Sequence, residues 1–169
     1  MSFEFDTVER FICGTVGQPG EREFYLQIRS GSRLISAVLE KAQASALAAR
    51  LDILLKQILS QDIALRIDKA ERDDAPLEQP IDQEFTIGAI SIAYDDQGQR
   101  ICIELFSIKD SDEDDETPDV TLNVTLSQTK AFVARTMAVV NAGRLPCPFC
   151  SIPIDPKGHL CPRANGYRR

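Results

Sequence analysis

The sequence predicts an α+β fold: two β-β-β-α halves with antiparallel sheet, helices packed on sheet, plus a C-terminal zinc-binding segment. Three observations carry this prediction. Period-two alternation occurs in two groups of strand-like runs, each group closes on a stretch of helical period, and Cys147, Cys150, His159 and Cys161 gather at the end of the chain. An alternating strand has one apolar face to cover, and an amphipathic helix at the end of each group supplies the cover.

The first group opens with the short apolar run Phe11–Val16. Gly14-Thr-Val-Gly17-Gln-Pro-Gly20 has glycine spacing reminiscent of a phosphate loop, but no Gly-Lys-Ser/Thr follows and the next element is a strand, so it reads as a hairpin loop. From Arg22 to Arg29 alternation is strict, with Phe24, Leu26 and Ile28 facing one way and Glu23, Gln27 and Arg29 the other. Ser30-Gly31-Ser32 is a tight hairpin signal, and Arg33–Leu39 returns. A helix follows from Glu40 to about Ser60, with Leu47, Leu51, Leu54 and Ile58 as its buried stripe and no good cap residue at its start. Residues 61–83 form a polar connection containing Pro76 and Pro80, with room for a helical turn or short strand near Ile63–Ile67.

In the second group the apolar phase changes from Phe85/Ile87 to Ile90/Ile92/Tyr94, which predicts a bulge near Gly88. Asp95-Asp-Gln-Gly98 turns into a strand over Gln99–Ile108, and a further strand covers Val120–Leu126. Ser127 is read as the N-cap of a second helix over about Gln128–Asn141, with Val133, Met137 and Val140 on one face and Gly143 as its stop. The repeated element order suggests a pseudo-repeat of 11–60 and 84–143, without matching residues. Residues 1–143 thus form an α+β body and 144–169 a zinc-knuckle-like tail.

The tail names its chemistry. Cys147-Pro-Phe-Cys150 and His159-Leu-Cys161 give Cys-x2-Cys-x8-His-x-Cys, and His159 is the sole histidine among 169 residues. Two close pairs of soft or borderline ligands are what a tetrahedral Zn²⁺ ion takes, and three thiolates with one imidazole fill it, which makes the metal structural. The tail has few apolar residues, and metal binding to peptides of finger size contributes about 10–16 kcal/mol, enough to fix its shape. A zinc deaminase is excluded because Pro146-Cys-Pro-Phe-Cys150 has no upstream His-x-Glu. With the histidine committed to metal, no Ser-His-Asp or Cys-His group can be assembled. A dithiol redox site at Cys147/Cys150 is the competing use of the same residues.

Composition narrows the partners. The net charge of −7 divides into a strongly acidic body and a basic tail containing Arg144, Lys157, Arg163, Arg168 and Arg169 against Asp155. An acidic body repels phosphate backbones, which argues against nucleic acid. No apolar run is long enough to span a bilayer, and the acidic N-terminus has no signal-peptide pattern, so a cytoplasmic location is expected. In that reducing setting Cys13 and Cys102, inside strand-like runs, are expected as buried thiols. The acidic run 110–119 reads as a solvated loop, with docking of a basic partner as its functional alternative and no EF-hand pattern.

Several strings resemble a bacterial family of unknown function, numbered 3090 among domains of unknown function: Phe3-Glu-Phe-Asp6, Arg10-Phe11 with Gly14-Thr-Val-Gly17, Phe24-Tyr-Leu-Gln27, Leu39-Glu-Lys41, and Cys147-Pro-Phe-Cys150 through Gly158-His to Cys161-Pro-Arg-Ala-Asn-Gly-Tyr167. The resemblance spans nearly the whole chain and keeps all four metal-ligand positions. It implies no activity. It does imply a functional link to histidine-phosphatase-like and kinase-like proteins, beside which such members are encoded.

These readings converge on a non-enzymatic adaptor or binding protein stabilised by one structural zinc ion. Its contact surface is expected beyond the clamp, at Arg163, Asn165 and Tyr167, toward an unidentified protein partner. The alternatives are an enzyme with its site on the α+β body and the dithiol redox protein named above.

Overall fold

The computed structural model describes residues 2–69, 71–109, 116–143, 146–152, 154, 158 and 161–163. Its strands are β1 (Phe3–Phe5), β2 (Arg10–Val16), β3 (Glu23–Ser30), β4 (Arg33–Leu39), β5 (Gln83–Asp95), β6 (Arg100–Ser107) and β7 (Val120–Thr125), and its helices are α1 (Lys41–Gln61) and α2 (Leu126–Asn141). The α+β class and the helix-on-sheet packing hold, but the sheet is mixed. One seven-stranded sheet runs β1-β7-β6-β5-β4-β3-β2. Its antiparallel hairpins meet through a parallel β4–β5 pair, and β1 adds parallel to β7. The two halves are therefore joined edge to edge, with α1 as the crossover of a β4-α1-β5 unit.

The curvature of this sheet follows from chain length. Residues 6–9 alone connect β1 at one edge to β2 at the other. That link reaches at most about 18 Å, whereas seven flat strands would hold their edges roughly 29 Å apart. The sheet must curl until its edges approach. The cross-edge bonds agree: Ser30 Oγ donates to the Thr7 carbonyl at 2.7 Å, and the Arg33 guanidinium of β4 sits 4.5 Å over the Phe3 ring of β1. The concave side holds the core, with Leu26, Ile28, Ile35, Ile101, Ile103, Leu105, Leu122 and Val124 packed against Ala44, Leu47, Leu51, Leu55 and Ile58 of α1 and Phe132 of α2. Phe11 of β2 stacks on Phe132, with centroids 4.1 Å apart.

Local expectations meet mixed outcomes. All three hairpins and the Gly88 bulge are present, the last as a register shift between Ile87 and Ala89, but Gly14 lies inside β2 and not in the first hairpin's loop. The start of α1 is better held than expected, because the Gln43 side chain accepts from the Glu40 N–H at 2.8 Å and donates to the Ile87 carbonyl at 3.1 Å. Thr125, not Ser127, caps α2. Its hydroxyl accepts from Gln128 N–H and its own N–H donates to Gln128 Oε1, both at 3.0 Å, a capping box that pulls Leu126 out of the strand and into the helix. The buried face of α2 is rotated from the expected one. Thr129, Phe132, Val133 and Thr136 are inside, while Met137 is 42% exposed. Cys13 is buried as expected, but Cys102 is only partly covered, on the face of β6 opposite Ile101 and Ile103.

Among its described residues the connection after α1 forms neither strand nor helix, yet it is not a solvated loop throughout. Residues 71–82 lie across the convex side of β2 and β3, where Leu77 packs with Ile12 and Tyr25. Gly14 makes room for that strap, since a Cβ there would stand 2.6 Å from Leu77 Cδ2. Polar clamps fasten it. Buried Gln27 donates to the Glu78 carbonyl at 3.0 Å and accepts from the Glu78 N–H at 2.8 Å. Arg10 grips Asp73 through two bonds of 2.6 and 3.1 Å. Arg135 of α2, only 7% exposed, donates to the carbonyls of Cys13, Asp73 and Ala75 at 2.8, 2.6 and 2.6 Å.

Candidate metal centre

The site is built from a tight turn. Cys147 N–H donates to the Ile152 carbonyl and Ser151 N–H donates back to the Cys147 carbonyl, both at 2.9 Å, so the chain reverses within six residues. Ser151 adopts a left-handed φ of 63° to complete the reversal. This conformation suits glycine best, and here a short polar residue occupies it. Gly158 has a φ of 105°, in the left-handed region that favours glycine.

The turn brings together the sulfurs of Cys147, Cys150 and Cys161, all within 4.8 Å of one another. Cys147 and Cys161 are buried and Cys150 is partly covered. The Cys147–Cys161 sulfur separation is 3.7 Å, far beyond the roughly 2.05 Å of a disulfide. Three thiols at this spacing, with the innermost two shielded from water, can hold one metal ion.

Electrostatics favour ionisation of one member. Burial works against the Cys147 thiolate, but the N–H groups of Cys150 and Phe149 and the thiols of Cys161 and Cys150 turn toward its sulfur and bring the thiol down to about 6. Cys150 moves the other way, pushed up by burial and by the neighbouring sulfurs of Cys161 and Cys147. The two cysteines outside the site are inert by comparison. Cys13 is pushed up to about 12 by burial, and Cys102 is raised by burial and by Glu104.

Of the remaining predicted residues, Arg163 is exposed and donates from Nη1 to the Phe149 carbonyl at 3.4 Å, which lays it along the turn. His159, Asn165 and Tyr167 lie outside the described residues, as does 110–115 of the acidic run. Asp119, at the end of that run, does more than solvate a loop. It accepts from Ser107 N–H at 2.7 Å and its backbone bridges β1 and β6. Support of the sulfurs by backbone N–H groups is what a knuckle-like Cys-x2-Cys turn implies, and at Cys147 those groups belong to Phe149 and Cys150. Only the Cys-x2-Cys spacing points to them.

The family model described as "Protein of unknown function (DUF3090)" matches residues 3–161, and the chain belongs to that family. No curated protein and no solved structure matches it.

Proposed function

We propose that this family member is a non-catalytic binding protein whose tail is shaped by one structural zinc ion, with Cys147, Cys150 and Cys161 as ligands and His159 as the fourth. The observation that carries the reading is the sulfur cluster. Tetrahedral ligands about 2.3 Å from zinc stand about 3.8 Å from one another, and the Cys147–Cys161 pair is 3.7 Å apart. The turn's N–H groups aimed at Cys147 stabilise a thiolate, the form a metal binds. Three sulfurs and an imidazole would complete the shell and exclude substrate, so zinc here would supply shape and not reaction chemistry. Arg163, Asn165 and Tyr167 would then be presented beyond a rigid turn to a protein partner in the cytoplasm. Phe149 and Ile152, 44% and 49% exposed on the same turn, add apolar contact area.

The dithiol reading draws on the lowered Cys147 thiol alone. Against it, Cys147 is 1% exposed, and an incoming disulfide must reach the attacking sulfur. Elemental mass spectrometry on untagged protein separates the two readings. The expected result is about one zinc per chain, absent from a Cys147→Ser/Cys150→Ser variant whose body stays folded. Metal-free protein that forms a reversible Cys147–Cys150 disulfide would overturn the clamp.

A further inference from the structure

We infer that the body carries a second, independent ligand site: an oxyanion-binding cleft formed by Arg22, Lys41 and Gly143. The cleft has a volume of about 400 Å³ and lies between the start of β3, the end of β4, the first residue of α1 and Gly143, two residues past the end of α2. That volume falls within the range of small-molecule sites. Its described lining shares no residue with the cysteine cluster.

Convergence of charge is the central observation. A Cβ built on Gly143 would stand 3.4 Å from Lys41 Nζ and 3.5 Å from Arg22 Nη2, so both cationic nitrogens border one small space that this glycine leaves open. Arg22 is held in place from behind. Its Nη1 donates to the Val139 carbonyl at 2.9 Å, and its guanidinium lies 5.1 Å over the Phe24 ring. The fork is therefore anchored through one nitrogen and presents the other. Among the described residues Lys41 makes no hydrogen bond or ion pair, and the two carboxylates lining the cleft, Glu23 and Glu40, bridge to neither cation. Glu23 is engaged by the Tyr25 hydroxyl at 3.2 Å.

Glu23 and Glu40 match the two cations in number across the cleft, but at Gly143 it is Arg22 and Lys41 that border the open space, and an anion there gains two charge-assisted hydrogen bonds. Planar guanidinium beside a mobile ammonium suits the oxygens of a phosphoryl or carboxylate group. Phe24, Val38 and Leu39 form the apolar wall, which leaves space for a small organic body behind the anionic head. The alternative job for both cations is to neutralise the carbonyl end of α2, which has no basic residue in its own last turn. That task requires no accessible space between them.

The test is an amide-resolved NMR titration of the full chain with inorganic phosphate, and separately with acetate. Saturable shifts confined to residues 20–24, 38–41 and 143 are expected, with whichever anion saturates at lower concentration naming the head group. Lys41→Gln should weaken binding by about tenfold, the equivalent of one charge-assisted hydrogen bond. Gly143→Val should abolish it with both charges intact, because its side chain would fill the space between them. Shifts that never saturate, or that scatter over all surface lysines and arginines, would overturn the site. So would unchanged binding in Gly143→Val.

Discussion

Replacing Arg135 by methionine is the most informative single change in the body. The substitution keeps an unbranched apolar stem and removes the guanidinium that ties α2 to the strap. Three carbonyls each lose a donor, Cys13 at 2.8 Å and Asp73 and Ala75 at 2.6 Å, although Ala75 keeps Arg10 Nη2 at 3.0 Å. Hydrogen bonds to a charged group contribute about 1.5–3 kcal/mol apiece, so simple addition would give roughly 5–9 kcal/mol. Two effects reduce that figure. Burial already disfavours the cation, lowering its pKa despite the opposing charge of Asp73, so removing it recovers desolvation energy. The Asp73 and Ala75 carbonyls are partly exposed and can turn to water, whereas the Cys13 carbonyl cannot. The expected net loss is about 2–4 kcal/mol in urea unfolding. Hydrogen exchange should show the loss unevenly, with protection falling first at residues 71–78 and later in α1 and β6. A loss below about 0.5 kcal/mol, with exchange in the strap unchanged, would refute the claim that Arg135 fastens it.

Three further predictions concern the strap, acid stability and the tail. Gly14→Val should destabilise by about 1–3 kcal/mol by overpacking against Leu77, and Leu77→Ala should recover part of the loss in a double-mutant cycle read by thermal unfolding. Asp73 is held below the usual carboxylate range, chiefly by its hydrogen bond to Arg10, so its contribution is complete above the unfolded value of 3.8 and is lost as pH falls through the folded one. Asp73→Asn should therefore flatten the acid limb of a stability–pH curve. Removal of the proposed metal by a chelator should open the segment around 146–163 to protease within minutes while mass spectrometry finds the 2–143 body intact, and equal cleavage throughout would show that the tail and body fold as one unit.

Much of this architecture was legible because local pattern and tertiary environment agree. Gly31 in its hairpin and the phase change at Gly88 each leave a signature within a few residues. The failures share a cause, which is pairing across distance. β1 is three residues long and has no periodicity to read, yet it is held by β7. The parallel β4–β5 contact also hides in plain pattern, because strand-helix-strand order fits both a crossover and the end of one half. At α2, Leu126 continues the alternation of Leu122 and Val124, and only the Thr125–Gln128 box reveals that the helix has begun. Met137 suggested the wrong phase, since the inward face is completed by Thr129 and Thr136 and by an arginine that no hydropathy pattern would place inside. In the tail, cysteine spacing alone foretold the cluster of Cys147, Cys150 and Cys161, because ligand chemistry is carried by residue type.

The curled sheet has a consequence for how the chain is made. The Ser2 hydroxyl bonds to a carbonyl 116 positions later, and β1 has nothing to pair with until β7 exists. At about 5–20 residues per second, a ribosome leaves Phe3, Phe5 and Val8 waiting for roughly 6–23 seconds. During that wait β2-β3-β4 can form as a meander, but its concave face lacks the α2 ring of Phe132 against which Phe11 stacks. Closure thus comes last, when the earliest and latest strands of the body meet. The vulnerable interval for this protein falls during synthesis, while apolar residues at the N-terminal edge are exposed to whatever chaperone or neighbouring chain arrives first.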